Sequence, residues 1–116
     1  MRKLFLAALI CALSFIAVDA KTKPARSTAG KKVTITITNF NFTPKTITVA
    51  AGTTVVWYNK EGRHTVEADN GAFKSDVLTA DKSYEFTFSK AGKYAYHCDF
   101  HGDTGGKDMA GTVIVK

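Results

Sequence analysis

Val33-Thr34-Ile35-Thr36-Ile37-Thr38 decides the fold. Branched apolar residues alternate strictly with threonines, so one face is apolar and the other polar, as in a half-buried strand. The same period of two recurs on both sides. Ile47 and Val49 alternate with Thr46 and Thr48. Thr53 to Asn59 is a third run centred on Val55-Val56-Trp57-Tyr58. Tyr84, Phe86 and Phe88 alternate with Glu85, Thr87 and Ser89; Tyr94, Tyr96 and Cys98 alternate with Ala95 and His97. Ala110 to Lys116 closes the chain with Val113 and Val115. Ala51-Gly52, Glu61-Gly62, Asn70-Gly71 and Ala91-Gly92 separate the runs as turns. Beyond a turn near Val77–Asp81, no segment carries an apolar stripe at helical spacing. The pattern predicts an all-β sandwich, one face of each strand inside.

Upstream the pattern stops. Residues 21–30, Lys-Thr-Lys-Pro-Ala-Arg-Ser-Thr-Ala-Gly, have three positive charges and no apolar period, and are expected to be a flexible basic linker. Met1-Arg2-Lys3, the apolar run Leu4–Val18 and Val18-Asp19-Ala20 form a secretory signal peptide expected to be cut after Ala20. An uncleaved anchor is the rival, but a span takes about 20 residues and this run is shorter. Cys11 follows Ile10, whereas a lipid-bearing cysteine follows a small residue. The expected division is therefore 1–20 signal, 21–30 linker and 31–116 globular domain. The expected location is periplasmic or otherwise extracytoplasmic, with no membrane span after cleavage.

The chain has 116 residues, 45% hydrophobic and 22% charged, with a net charge of +6. These values suit one ordinary domain and exclude a collagen-like or wholly disordered chain. Residues 21–60 hold seven basic and no acidic residues, whereas residues 61–116 hold seven basic and nine acidic. The positive balance belongs to the tail and first strands, and forms no basic stripe interleaved with exposed aromatics. Nucleic-acid binding is therefore not expected.

Signal removal leaves Cys98 as the lone cysteine. Exported proteins normally pair their cysteines, and a lone thiol there oxidises unless something occupies it. Cys98 ends a strand, His101 follows after two residues, and Met109 after seven more. His64 lies just beyond the Trp57 strand. If that loop lies at the same end of the sandwich, the set is His, Cys, His and Met. Two imidazoles and a thiolate with a weak axial thioether form a blue-copper electron-transfer site. These donors satisfy both Cu(I) and Cu(II) and leave no open position for substrate. His97 has the opposite strand parity to Cys98 and is expected to point away from such a metal.

At these residues the sequence resembles the cupredoxins, the small blue copper proteins, and looks most like their plastocyanin, pseudoazurin and amicyanin branch. The likeness is carried by Phe40-Asn41-Phe42-Thr43-Pro44, Val49-Ala50-Ala51-Gly52-Thr53-Thr54-Val55, Trp57-Tyr58-Asn59 and His64-Thr65-Val66. Tyr84-Glu85-Phe86-Thr87-Phe88, Gly92–Cys98 and Met109-Ala110-Gly111-Thr112-Val113 continue it in order. It implies a Greek-key β-sandwich binding one copper through His64, Cys98, His101 and Met109. It also implies that Asn59 braces the Cys98 loop. Seven residues separate His101 from Met109, three of them glycine, more than in the best-known members. A loose tether on Met109 is therefore expected.

The leading expectation is an exported one-electron carrier, monomeric, working between redox-partner proteins and not an enzyme. A copper-delivery protein with the same ligands would exchange its metal readily. A structural zinc site is disfavoured, because copper outranks zinc in affinity and methionine favours it.

Overall fold

The computed structural model describes residues 31–116, and the expected signal segment and basic linker lie outside these residues. Eight strands form two four-stranded sheets, and no helix occurs among the described residues. β1 (Lys32–Thr38), β2 (Asn41–Thr43), β4 (Thr53–Asn59) and β6 (Ser83–Phe88) make the first sheet, in the order β2-β1-β4-β6. β3 (Thr46–Val49), β8 (Lys107–Val115), β7 (Gly92–Asp103) and β5 (Glu67–Ala68) make the second, in the order β3-β8-β7-β5. Both sheets are mixed: β1 runs parallel to β4 and β3 parallel to β8, and the remaining pairs are antiparallel. This is the β-sandwich that the alternation predicts.

The core follows the period of two. Along β4, Thr53, Val55, Trp57 and Asn59 are buried while their neighbours are only partly so. Ile35 and Ile37 of β1, Phe88 of β6, and Tyr96, Val113 and Val115 of β7 and β8 meet them from both sheets. Trp57 anchors this core, its ring centroid 5.3 Å from that of Tyr96, 5.5 Å from Phe73 and 5.8 Å from Tyr84. Removing such a buried aromatic costs about 3–5 kcal/mol.

Two expectations need correction. The turn of helix near Val77–Asp81 does not form. Leu78 instead exchanges backbone hydrogen bonds with His64, N to O at 2.7 Å and O to N at 3.0 Å. A buried Leu78 with both backbone groups bonded across the chain is strand-like, and this contact overrides the weak local helical preference. The stretch after Cys98 is also not a loose loop. β7 continues to Asp103 and β8 begins at Lys107, with Gly102 paired to Asp108 and Asp103 to Lys107. The extra residues form a paired hairpin whose turn uses Gly105 and Gly106 at φ of 81° and 76°, a region glycine enters without strain.

Candidate metal centre

Cys98 and His64 come from different sheets' ends and different parts of the chain. β4 ends at Asn59, which is buried with no exposed surface. Its Nδ2 donates to the carbonyls of Gly62 and Leu78, each at 2.8 Å, and its Oδ1 accepts from Glu61 N at 3.3 Å. These bonds fold residues 60–63 into a tight loop and deliver His64 into the interior. Asn59 therefore braces the His64 loop; no bond from it reaches the Cys98 segment, contrary to the expectation. The reason is proximity along the chain: the amide satisfies the carbonyls exposed where β4 stops. Gly62 adopts a φ of 75°, and a Cβ there would stand 3.1 Å from the His64 Nε2.

The Cys98 sulfur is fully buried. It lies 3.8 Å from His64 Nδ1 and 3.5 Å from His101 Nδ1. Thr65 N donates toward the same sulfur at 3.4 Å, and its hydroxyl stands 3.9 Å away. That hydroxyl accepts from Asp99 N at 2.7 Å, so its own proton is free to point at the sulfur. Thr65 thus clamps Cys98 and the residue that follows it. Sequence reasoning missed it; its place next to a candidate ligand was the available signal.

The strand register places Met109. His97 pairs with Ala110 and Gly102 with Asp108, so four residues of β7, Cys98 to His101, bulge opposite one residue of β8. That residue is Met109, which is buried in the same core cluster as Cys98. A bulge of this kind re-aims side chains beside a functional site. Here it brings Cys98 and His101 together, with Met109 opposite them in the register. The return is tight: a Cβ on Gly102 would lie 2.3 Å from the Met109 carbonyl oxygen.

His64 is buried, and this burial, followed by the neighbouring His101 imidazole, holds its pKa below the ordinary imidazole value; Glu61 opposes the effect. His64 is therefore a neutral donor at neutral pH. His101 is only half-buried. Phe40 lies edge-on to it with ring centroids 4.6 Å apart, and to His64 at 5.9 Å. Phe40 and Phe100 are exposed at 56% and 49%, so the His101 edge sits in an apolar surface, with the Arg63 guanidinium 5.8 Å from the Phe100 ring centroid. Phe40 occupies the two-residue turn between β1 and β2 with φ of 63°, after Asn39 at 38°. Such a turn requires positive φ at both positions and normally carries glycine second. A phenylalanine there is a local rule broken at the site, held by Asn39 N donating to Glu61 Oε1 at 3.1 Å.

His97 stands outside this set, as its parity predicts, with its Nδ1 2.7 Å from Asp69 Oδ1. His64, Cys98 and His101 are brought together with donor atoms mutually within 4.8 Å.

Comparison with known proteins agrees with this geometry. The family model of the cupredoxin-like domain matches residues 6–115. The chain is 34% identical to amicyanin of Paracoccus versutus over 90 residues, covering 72% of this chain and 64% of that protein. It is 36% identical to chloroplastic plastocyanin of Tetradesmus obliquus over 87 residues, covering 65% of this chain and 58% of that protein. The chain thus spans somewhat less than two thirds of these relatives. The solved structure of the Paracoccus versutus amicyanin superposes with a TM-score of 0.63 at 33% identity, over 73% of this chain and 81% of that one. A Cu-containing nitrite reductase from Thermus scotoductus gives 0.64 at 28% identity, over 73% of this chain but only 22% of that enzyme. By sequence, fold and the shape of its His, Cys and His cluster, this chain belongs to the cupredoxin family.

Proposed function

We propose that this chain is an exported mononuclear blue copper protein that carries single electrons between redox partners. The observation that carries the reading is the buried Cys98 sulfur with imidazole nitrogens at 3.5 and 3.8 Å. Two donors with metal bonds of about 2.0–2.3 Å, meeting at a trigonal or tetrahedral angle, stand about 3.5–3.8 Å apart. The donors present fit one ion. A thiolate with two imidazoles suits copper, and amicyanin and plastocyanin relatives support the same assignment. His64, Cys98 and His101 would hold the copper, with Met109 as a further, weak thioether donor. Bound there, copper would supply a one-electron Cu(I)/Cu(II) couple.

The chain's own residues account for the rest. Thr65 directs its N–H toward the sulfur and so fixes where it points. The Asn59 bonds and the β7–β8 hairpin hold donors from distant segments in one geometry, so neither oxidation state requires rearrangement. His101 is the donor nearest solvent, and a partner seated on Phe40 and Phe100 would lie against its ring. This convergence of protein donors on one point supports a carrier over an enzyme. Residues 1–20 act as the export signal in this reading, and 21–30 as a basic tether leading to the domain at 31–116.

The optical spectrum of the copper-loaded protein is the test. An intense visible copper–thiolate band is expected, absent in Cys98→Ser while the sandwich remains folded. The same band in the serine variant would refute the assignment. Retention of copper through repeated redox cycles in the presence of a chelator separates a carrier from a delivery protein.

A further inference from the structure

Behind the Cys98 site, on the opposite face of the second sheet, lies another set of donors. Glu67 and His97 are register partners across β5 and β7, and Asp99 is two residues along from His97. One donor atom from each lies within 4.8 Å of the others. The geometry points to a second metal site here, formed by Glu67, His97 and Asp99 and suited to a borderline divalent cation such as zinc.

His97 sets this apart from a chance group of surface carboxylates. Its side chain is only 8% exposed, although it faces outward from the sheet. Its Nδ1 is 2.7 Å from Asp69 Oδ1, and the other Asp69 oxygen accepts from Gly105 N at 3.0 Å. Asp69 is therefore fixed at both oxygens, by the ring and by the tip of the β7–β8 hairpin. A carboxylate accepting one imidazole N–H sets the tautomer and leaves the other nitrogen as a lone-pair donor, as behind metal-bound histidines generally. That other nitrogen, Nε2, makes no hydrogen bond to the described residues; it stands 3.8 Å from Glu67 Oε2. This distance is too long for a hydrogen bond and close to the roughly 3.4 Å between two donors on a tetrahedral zinc with bonds near 2.1 Å. Asp99 is exposed and Glu67 a quarter exposed, so both carboxylates can close the remaining gap by turning about their own bonds. One imidazole with two carboxylates suits zinc, and water would complete the four positions. The Lys74 ammonium, 64% exposed and 3.6 Å from Glu67 Oε1, is the cation now facing these carboxylates, and it is free to swing out.

Calorimetric titration of the copper-loaded protein with zinc(II) at pH 7.5 tests the site; Cys98→Ser protein is titrated in parallel, so the result does not depend on the copper assignment. One saturable zinc per chain is expected in both proteins. Asp99→Asn and His97→Gln should each weaken binding at least about 10-fold, and Asp69→Asn, which touches no metal, about 10–100-fold. Because His97 is buried, the exposed Asp99→Asn carries the test if His97→Gln does not fold. Lys74→Gln should tighten binding several-fold, which a purely structural ion pair would not produce. Absence of saturable binding in both proteins, or wild-type affinity in Asp99→Asn and Asp69→Asn together, overturns the proposal and leaves His97 as a structural partner of its carboxylates.

Discussion

Gly102→Ala should be among the most damaging single methyl additions in this protein. A Cβ at Gly102 would stand 2.3 Å from the Met109 carbonyl oxygen, 2.9 Å from its carbonyl carbon and 3.0 Å from the Lys107 carbonyl oxygen. Real Cβ contacts do not fall below 3.0 Å, so β7 and β8 must part by at least 0.7 Å. The obstructing atoms are backbone and cannot turn aside as a flexible side chain would. Overpacking of this kind costs about 1–3 kcal/mol, and a lost ladder hydrogen bond about 1 more. The sum, about 3 kcal/mol, lowers the melting temperature by about 12–24 °C in a domain of this size. Gly105→Ala is the internal comparison. Its Cβ meets nothing within 4 Å, and only the positive φ of 81° opposes it. That conformational cost is about 1–2 kcal/mol, or about 4–16 °C. Circular-dichroism melts of the copper-free proteins compare the two without metal binding entering the result. If Gly102→Ala melts no lower than Gly105→Ala, the close approach of the hairpin arms that seats Met109 opposite the bulge is wrong.

Met109→Gln replaces a thioether with a harder oxygen donor that favours Cu(II), so the copper–thiolate colour should persist while the reduction potential falls. The expected change is on the order of 2–4 kcal/mol, at ~59 mV per 1.4 kcal/mol for one electron; equal potentials would place Met109 outside the coordination sphere. Phe100→Glu puts a charge beside His101 on the apolar face and should slow electron self-exchange with little change in potential, and an unchanged rate would locate the exit elsewhere. Burial keeps the Tyr96 phenol protonated well above the ordinary tyrosine range. The unfolded chain releases that proton near pH 10 while the folded chain keeps it, so this contribution to stability is present below pH ~10 and lost as pH rises further. Tyr96→Phe should therefore move the alkaline unfolding midpoint to higher pH, and an unmoved midpoint would mean that Tyr96 ionises freely in the fold.

The alternation of Val33, Ile35 and Ile37 with threonines, and of Val55 and Trp57 with their neighbours, specified inward faces directly, because strand geometry repeats every two residues and burial acts on each residue alone. The unpaired Cys98 beside His101 likewise named a metal site from local spacing and thiol chemistry. Other features depend on which strands become neighbours. His64 and Cys98 are 34 positions apart and meet only because the Leu78 bridge and the Asn59 amide turn the His64 loop inward. The Thr65 contacts to Cys98 and Asp99 span 33 and 34 positions and leave no periodic trace. The glycines between His101 and Met109 read as slack until the pairing of Gly102 with Asp108 made them a hairpin. Asn39-Phe40 took a left-handed turn, placing Phe40 against His101, although phenylalanine disfavours it, because the β1–β2 register permits only two connecting residues. Local periodicity therefore specified the strands and named the thiol. Register, bulge and buried hydrogen bonds, which depend on residues far apart in sequence, decided how the donors converge.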